Sequence, residues 1–137
     1  MNLITSRDNP LVKAIRRLAQ DSTAYRKRGQ FWLEGDHLCR AALLRGVQPQ
    51  QVVLAESFWQ EQGGEWADTG APVLVLPDAL FASLSSLESP ARMGFVVAWA
   101  AAPAVLPDVP TVVLDRLQDA GNVGAILRCA SAFGYRQ

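Results

Sequence analysis

The chain has 137 residues, of which half are hydrophobic, so it can bury one core of ordinary size and the start of a second. Thirteen basic residues balance thirteen acidic ones. No apolar run reaches the roughly 18 residues of a membrane span, and polar residues occupy positions 2, 5, 6 and 7, where a secretory signal would be apolar. We therefore expect a cytoplasmic protein with no membrane partner.

The charges are unevenly distributed along the chain. Residues 1–45 carry nine basic and four acidic side chains, whereas residues 46–110 carry Arg92 alone against seven acidic ones. A polyanion such as nucleic acid would dock at the basic end, because each neutralised phosphate releases a counterion. The acidic middle should face away from it.

The basic end begins with an amphipathic helix, in which Leu11, Ile15 and Leu18 form an apolar stripe. A charged loop of three successive cations follows and precedes a strand at 31–33. Solvated surface charge gives the same pattern as a nucleic-acid contact, so both interpretations stay open. The candidate contacts are Arg7, Lys13, Arg17, Arg26, Lys27 and Arg28.

Strand and helix patterns alternate through the next part of the chain. We predict strands at 51–55, 73–76 and 93–100, and helices at 36–45, at 57–62 ended by two glycines, and from Pro77 to Leu84. This order predicts an α/β fold with a parallel or mixed sheet and helices on its faces. The three prolines between residues 101 and 110 predict a linker there, between a domain at 1–100 and another that begins at 111.

Isolated reactive side chains give little support for metal or redox chemistry. We interpret Cys39 and Cys129 as reduced, packed thiols, and His37 as a surface or capping residue with no second histidine to form a metal pair. We expect Glu34 to be structural, accepting hydrogen bonds from backbone N–H groups of the next helix. The four tryptophans are interpreted as packing residues rather than base-stacking ones. They are Trp32, Trp59, Trp66 and Trp99.

The most informative segment is 112–134. Val112 to Leu114 predicts a buried strand, and a glycine-containing turn then leads into a helix that contains Arg128. Asn122 and Arg128 are six residues apart, which is about 9 Å along a helix, so both could line one cleft at the strand's carboxyl end. A neutral amide beside a permanent cation suits a phosphodiester or a nucleotide.

This segment resembles the first motif of the SpoU/TrmH-like family of RNA 2′-O-ribose methyltransferases, which belong to the SPOUT class. Ala120 stands where the family usually has proline, and Cys129 where threonine is common. Residues 4–13 and 31–35 are similar to the small substrate-binding domain of many members. The matching positions are Asp115, Asp119, Gly121, Asn122, Gly124, Ala125, Arg128, Ala130, Phe133 and Gly134.

The resemblance implies a small α/β/α domain with a mixed sheet, like that of kink-turn-binding proteins, followed at 111–137 by the first strand and helix of a knotted methyltransferase domain. It implies methyl transfer from S-adenosylmethionine to a ribose 2′-hydroxyl of rRNA or tRNA. Arg128 would bind the adjacent phosphate, Asn122 would position the ribose, and Gly121 and Gly124 would let backbone approach the nucleotide.

The donor site of the family lies in later motifs. We therefore expect this chain to be an incomplete part of the enzyme, inactive by itself and binding no S-adenosylmethionine or metal, and we expect the complete enzyme to be a homodimer.

Two other classes of protein stay open. The first is a non-catalytic RNA-binding module, which would show RNA affinity without binding a methyl donor. The second is a dinucleotide-binding enzyme, but its glycine fingerprint needs a third glycine where Leu127 stands.

Overall fold

The structure is a computed structural model that describes residues 1–85, 87–100 and 104–137. The chain divides into two compact units, Met1–Ala100 and Ala101–Gln137. Residues 101–103, at the start of the predicted linker, lie outside the described residues.

The first unit is built on one five-stranded mixed sheet, as the alternating pattern predicts. In the order β1-β4-β3-β5-β2, the strands β1, β4 and β3 are parallel, and β5 runs antiparallel to both β3 and β2. The strands are β1 Asn2–Leu3, β2 Gln30–Glu34, β3 Pro49–Ala55, β4 Val73–Leu76 and β5 Met93–Ala98. The helices are α1 Pro10–Gln20, α2 Ala24–Arg28, α3 Asp36–Leu44, α4 Glu56–Ala67 and α5 Asp78–Ala82.

Helix α1 begins where its sequence carries both a cap and a proline. The Asn9 side chain accepts a hydrogen bond from the Leu11 amide at 2.9 Å, and Pro10 fills the first helical position, where no amide donor is needed. Its buried residues are Val12 and Ile15, whereas the Leu11 side chain is exposed. The predicted apolar stripe is therefore wrong at Leu11, because the adjacent residue Val12 lies on the buried face instead.

The core lies on both faces of the sheet. Strands β3 and β4 are buried at 52–55 and 73–76, as their continuous apolar runs require. On one face, Phe95 packs edge-on against Trp66 of α4 with ring centroids 5.7 Å apart. Its neighbour in β5, Gly94, lies under the indole of Trp32, which also contacts Phe81 of α5 at 6.1 Å. Successive residues of a strand point to opposite faces, so helices cover both.

Three predicted boundaries are wrong for identifiable reasons. Helix α4 continues through Gly63 and Gly64 to Ala67 instead of ending at the glycines. Gly63 is buried against the Trp59 ring, which a β-carbon at position 63 would overlap, so this glycine serves packing rather than termination. The basic segment before β2 is the short helix α2 rather than a loop, and Gly29 ends it with a φ of 61°. Pro77 precedes α5, which ends at Ala82 rather than Leu84.

The second unit contains one described helix, α6 Ala120–Ala132. The predicted strand at Val112–Leu114 is wrong: this segment is irregular, and Val113 is 82% exposed. A strand needs a neighbour to pair its backbone, and the described residues of this unit form no second strand beside it. The Val112 amide instead donates to the Gln137 carbonyl at 2.8 Å.

The Gln137 side chain holds this irregular segment in place. Its amide nitrogen donates to the Leu106 carbonyl at 3.0 Å and to the Thr111 hydroxyl at 2.7 Å, and its amide oxygen accepts from the Leu106 amide at 2.7 Å.

Candidate functional site

The candidate catalytic motif occupies the first three turns of α6. Asp119 is the N-cap, and its carboxylate accepts a hydrogen bond from the Asn122 amide at 2.9 Å. A β-carbon at Gly121 would lie 2.8 Å from the same carboxylate oxygen. Glycine at 121 therefore leaves room for the cap. The site predicted from sequence lacks this role of Asp119, although aspartate before a helix is a recognised capping signal.

Arg128 lies over Gly124, one turn earlier on α6. A β-carbon at Gly124 would be 3.3 Å from the Arg128 Nη1 atom, so the missing side chain lets the guanidinium rest against the helix. Arg128 is exposed, and in the described residues it makes no ion pair or side-chain hydrogen bond. Its charge is therefore available to an external anion.

Asn122 and Arg128 share a helix but do not meet. Helix geometry separates them by about 9 Å along the axis and about 120° around it. Both side chains are exposed, and the described residues show no hydrogen bond between them. A ligand that contacted both would have to be extended, as a nucleotide with its flanking phosphate is.

Residues of the second unit line a hollow of about 250 Å³. Its walls are mainly apolar, and none of the residues that line it is an aspartate or a glutamate, whose side chain could pair with a ligand's ammonium group or hydroxyls. The hollow is lined by Val112, Leu114, Leu127, Ala130, Ser131, Tyr135, Arg136 and Gln137.

The candidate cations of the first unit fall into two groups. Lys13 pairs with Asp8 at 2.8 Å and Arg17 lies 3.7 Å from Asp21, so part of their charge is already balanced. The Lys13 ammonium lowers the pKa of the Asp8 carboxyl, first through a hydrogen bond and then through its charge. Arg7 is exposed and has no acidic partner in the part of the chain that the structure describes.

The second group lies on α2. Arg26, Lys27 and Arg28 occupy its last turn, all three exposed. The Arg26 Nε atom donates to the Tyr25 hydroxyl at 2.9 Å. Within 1–85, 87–100 and 104–137 none of the three cations forms an ion pair, so α2 is the densest unbalanced positive charge in the first unit.

Four isolated side chains have the following environments. Cys39 is packed as predicted, and burial raises the pKa of its thiol to about 12, whereas Cys129 is exposed, so its predicted packing is wrong. His37 is on the surface as predicted. The Glu34 carboxylate does accept hydrogen bonds, but from the Ala91 amide at 3.1 Å and the Trp32 indole at 3.1 Å rather than from the next helix.

The described residues contain no group of three or more His, Cys, Asp or Glu side chains that could hold a metal ion. A membrane-spanning helix would need a longer apolar stretch than any helix in these residues has.

The fold is similar to those of solved RNA methyltransferases. Over 96% of this chain and 52% of the other, the structure is similar to that of an RNA 2′-O ribose methyltransferase, with a TM-score of 0.70 and 27% identity. The TM-score is 0.73, again with 27% identity, against an AdoMet-bound rRNA methyltransferase from Sinorhizobium meliloti, over 97% of this chain and 51% of that one.

Residues 9–94 match the family model of the MRM3-like substrate binding domain, and the chain belongs to that family. It is also 34% identical to an uncharacterized tRNA/rRNA methyltransferase of Synechocystis sp., over 96% of this chain and 49% of that protein. The chain thus spans about half the length of this relative. The resemblance to SpoU/TrmH-like RNA methyltransferases is confirmed.

Proposed function

We propose that this chain acts as part of an RNA methyltransferase, which transfers a methyl group from S-adenosylmethionine to a ribose 2′-hydroxyl. The first unit docks the RNA, and α6 contributes residues that position the target nucleotide. The observation that carries the proposal is the exposed, unpaired Arg128 over Gly124, on a helix capped by Asp119, in a chain of this family.

Arg128 acts on the RNA in this proposal. A guanidinium stays protonated, so it is better suited to bind and orient a phosphate oxygen than to remove the proton of the 2′-hydroxyl. Binding the phosphate beside the target ribose would hold the poorly nucleophilic hydroxyl in line for attack. Asn122, in the first turn, positions the ribose through its amide.

We further propose that Gly121 and Gly124 let the backbone approach the nucleotide, in addition to the room that they leave for the Asp119 carboxylate and the Arg128 guanidinium. We assign no role in donor binding to the described residues. We therefore propose that residues 1–137 alone bind RNA and transfer no methyl group.

The test measures methyl transfer from radiolabelled S-adenosylmethionine to mixed rRNA and tRNA. It compares the Arg128→Ala variant with wild type, both as full-length protein. We expect at least a hundredfold loss of transfer, with donor affinity unchanged. Arg136→Ala, which removes an exposed arginine outside α6, is the matched control and should stay active. Labelled products should resist alkaline cleavage, because a methylated 2′-oxygen cannot attack its phosphate. Full activity of Arg128→Ala would remove Arg128 from the mechanism.

A second candidate is a non-catalytic RNA-binding module. It is favoured by the family match, which covers residues 9–94 and thus only the first unit. It predicts the same RNA affinity with no methyl transfer by the full-length protein. The same assay therefore separates the two functions.

The remaining details are also proposals. The substrate is rRNA or tRNA, the two classes that the name of the Synechocystis relative gives. We propose that the first unit is of the kink-turn-binding type and that the second belongs to a trefoil-knotted domain. We also propose that the enzyme is cytoplasmic and a homodimer.

A further inference from the structure

Trp99 carries its indole on the surface beside the basic helix α2. It follows β5 directly and is 37% exposed, whereas Trp66 is buried. Its backbone amide donates to the Gly29 carbonyl at 2.8 Å, which attaches it to the end of α2. Its ring packs edge-to-face with Tyr25, with centroids 5.0 Å apart and planes at 74°. Two contacts therefore hold an exposed aromatic ring in one position.

One ring of the pair, Tyr25, lies beside a cation. The Arg26 guanidinium carbon lies 5.5 Å from the centroid of the Tyr25 ring, and Lys27 and Arg28 follow on the same turn. A cation near an aromatic ring adds to the attraction for a second π-system. The positive potential of α2 thus lies at the aromatic pair.

The Asp21 carboxylate, which is influenced by the charge of α2, already has hydrogen-bond partners. Asp21 accepts hydrogen bonds from the Thr23 amide at 2.9 Å and from the Thr23 hydroxyl at 2.7 Å. These bonds, and then the charges of Arg17 and Lys27, lower the pKa of the Asp21 carboxyl. Asp21 therefore offsets Lys27 only in part.

We propose that five residues form a platform for single-stranded RNA, namely Tyr25, Arg26, Lys27, Arg28 and Trp99. On this platform a base stacks against Trp99 while neighbouring phosphates contact Lys27 and Arg28. This inference rests on the proposed function, since it names where the RNA docks. Base–aromatic stacking beside a cationic track is the general way of holding single strands.

The platform distinguishes single strands from duplexes. A base in a duplex has both faces covered by its neighbours, so it cannot stack on the indole. A duplex would use only the cations. The indole should therefore add affinity for unpaired RNA alone, and it requires bases as well as a phosphate backbone.

The test measures binding of the protein to three probes: a ten-nucleotide oligoadenylate, an abasic oligomer of the same length, and a ten-base-pair RNA duplex. Wild type should bind oligoadenylate about tenfold more tightly than the abasic strand. Binding should also quench tryptophan emission, because Trp99 is the most exposed tryptophan in the described residues.

The variants separate stacking from charge. Trp99→Leu should lose the preference for bases, whereas Trp99→Phe should keep most of it and lose the quenching. Lys27→Gln with Arg28→Gln should weaken binding of all three probes and lower the salt dependence by about 0.7 per cation removed for the single strands. Arg136→Gln removes one exposed charge from the second unit and should leave binding unchanged. Thermal unfolding shows whether each variant keeps its fold.

Equal binding of the adenylate and abasic strands by wild type, or an unchanged base preference in Trp99→Leu, would overturn the platform and leave the proposed RNA docking intact. If wild type binds no RNA even at low salt, then both the platform and the proposed docking are wrong. Binding that depends on the cations but not on Trp99 would assign the site to phosphates alone.

Discussion

Gly94 of β5 lies directly beneath the indole of Trp32, which belongs to the neighbouring edge strand β2. A β-carbon at position 94 would overlap two atoms of the ring and lie 2.7 Å from the Leu33 carbonyl oxygen. The indole is fixed in turn by its hydrogen bond to Glu34 and its contact with Phe81. This glycine is therefore required by packing across two strands.

We expect Gly94→Ala to lower the free energy of unfolding by about 1–3 kcal/mol, because the added methyl group meets a backbone atom that cannot rotate away. Urea denaturation measures the change. Gly94→Ala should cost less free energy of unfolding in a Trp32→Leu background than in wild type, since the ring is no longer there. Equal costs in the two backgrounds would show that the indole does not constrain Gly94.

The adjacent glycines of α4 should respond in opposite directions. Gly64 has nothing within 4 Å of its absent β-carbon, so Gly64→Ala should stabilise the protein by up to about 1 kcal/mol through helix propensity alone. Gly63→Ala should be destabilising, because its methyl group overlaps the Trp59 ring. Thermal unfolding compares the pair, and a stabilising Gly63→Ala would contradict the packing of Gly63 against the Trp59 ring.

The two thiols should differ sharply in reactivity. Burial holds the pKa of the Cys39 thiol at about 12, so at pH 8 this group is protonated and enclosed, whereas Cys129 is exposed on α6. One equivalent of a thiol reagent should react rapidly with the native protein and a second only after unfolding. Cys129→Ser should remove the rapid phase. Rapid labelling in that variant would show that Cys39 is accessible.

The contact between Gly124 and Arg128 is expected to matter for activity more than for folding. Gly124→Ala should favour helix α6 by up to about 1 kcal/mol, yet its methyl group would displace the guanidinium by a few tenths of an ångström. Transfer by the full-length protein should fall about tenfold, because the proposed contact of Arg128 with a phosphate would be misplaced. In an Arg128→Ala background the part of this loss that comes from the displaced guanidinium should disappear, and any loss that remains would come from the approach of the backbone at Gly124.

Much of the first unit can be predicted from sequence because its signals are local. The runs at 52–55 and 73–76 are apolar without interruption, as strands covered on both faces must be, and Asn9-Pro10 marks the start of α1. The glycines of α4 mislead for a physical reason. A glycine pair is a turn signal unless a ring one turn earlier fills the space, and that depends on how Trp59 packs.

The second unit and the exposed aromatics show the limits of local patterns. Val112 to Leu114 has the composition of a strand, but pairing depends on neighbours that the pattern does not contain. Interpreting the tryptophans as packing residues is correct for the buried Trp66. Trp99 also packs, against Tyr25, but 37% of its surface stays exposed, which composition alone does not indicate. The contact between Gly124 and Arg128, by contrast, could have been predicted, because residues four apart on a helix lie on the same face.

The hydrogen bonds of Gln137 bring residue 137 next to residues 106 and 111. One amide side chain thus pairs both backbone groups of Leu106, as a neighbouring strand does in a sheet. The conformation of residues 106–111 therefore depends on a single residue, and a shorter or apolar side chain at position 137 would leave those groups without that partner.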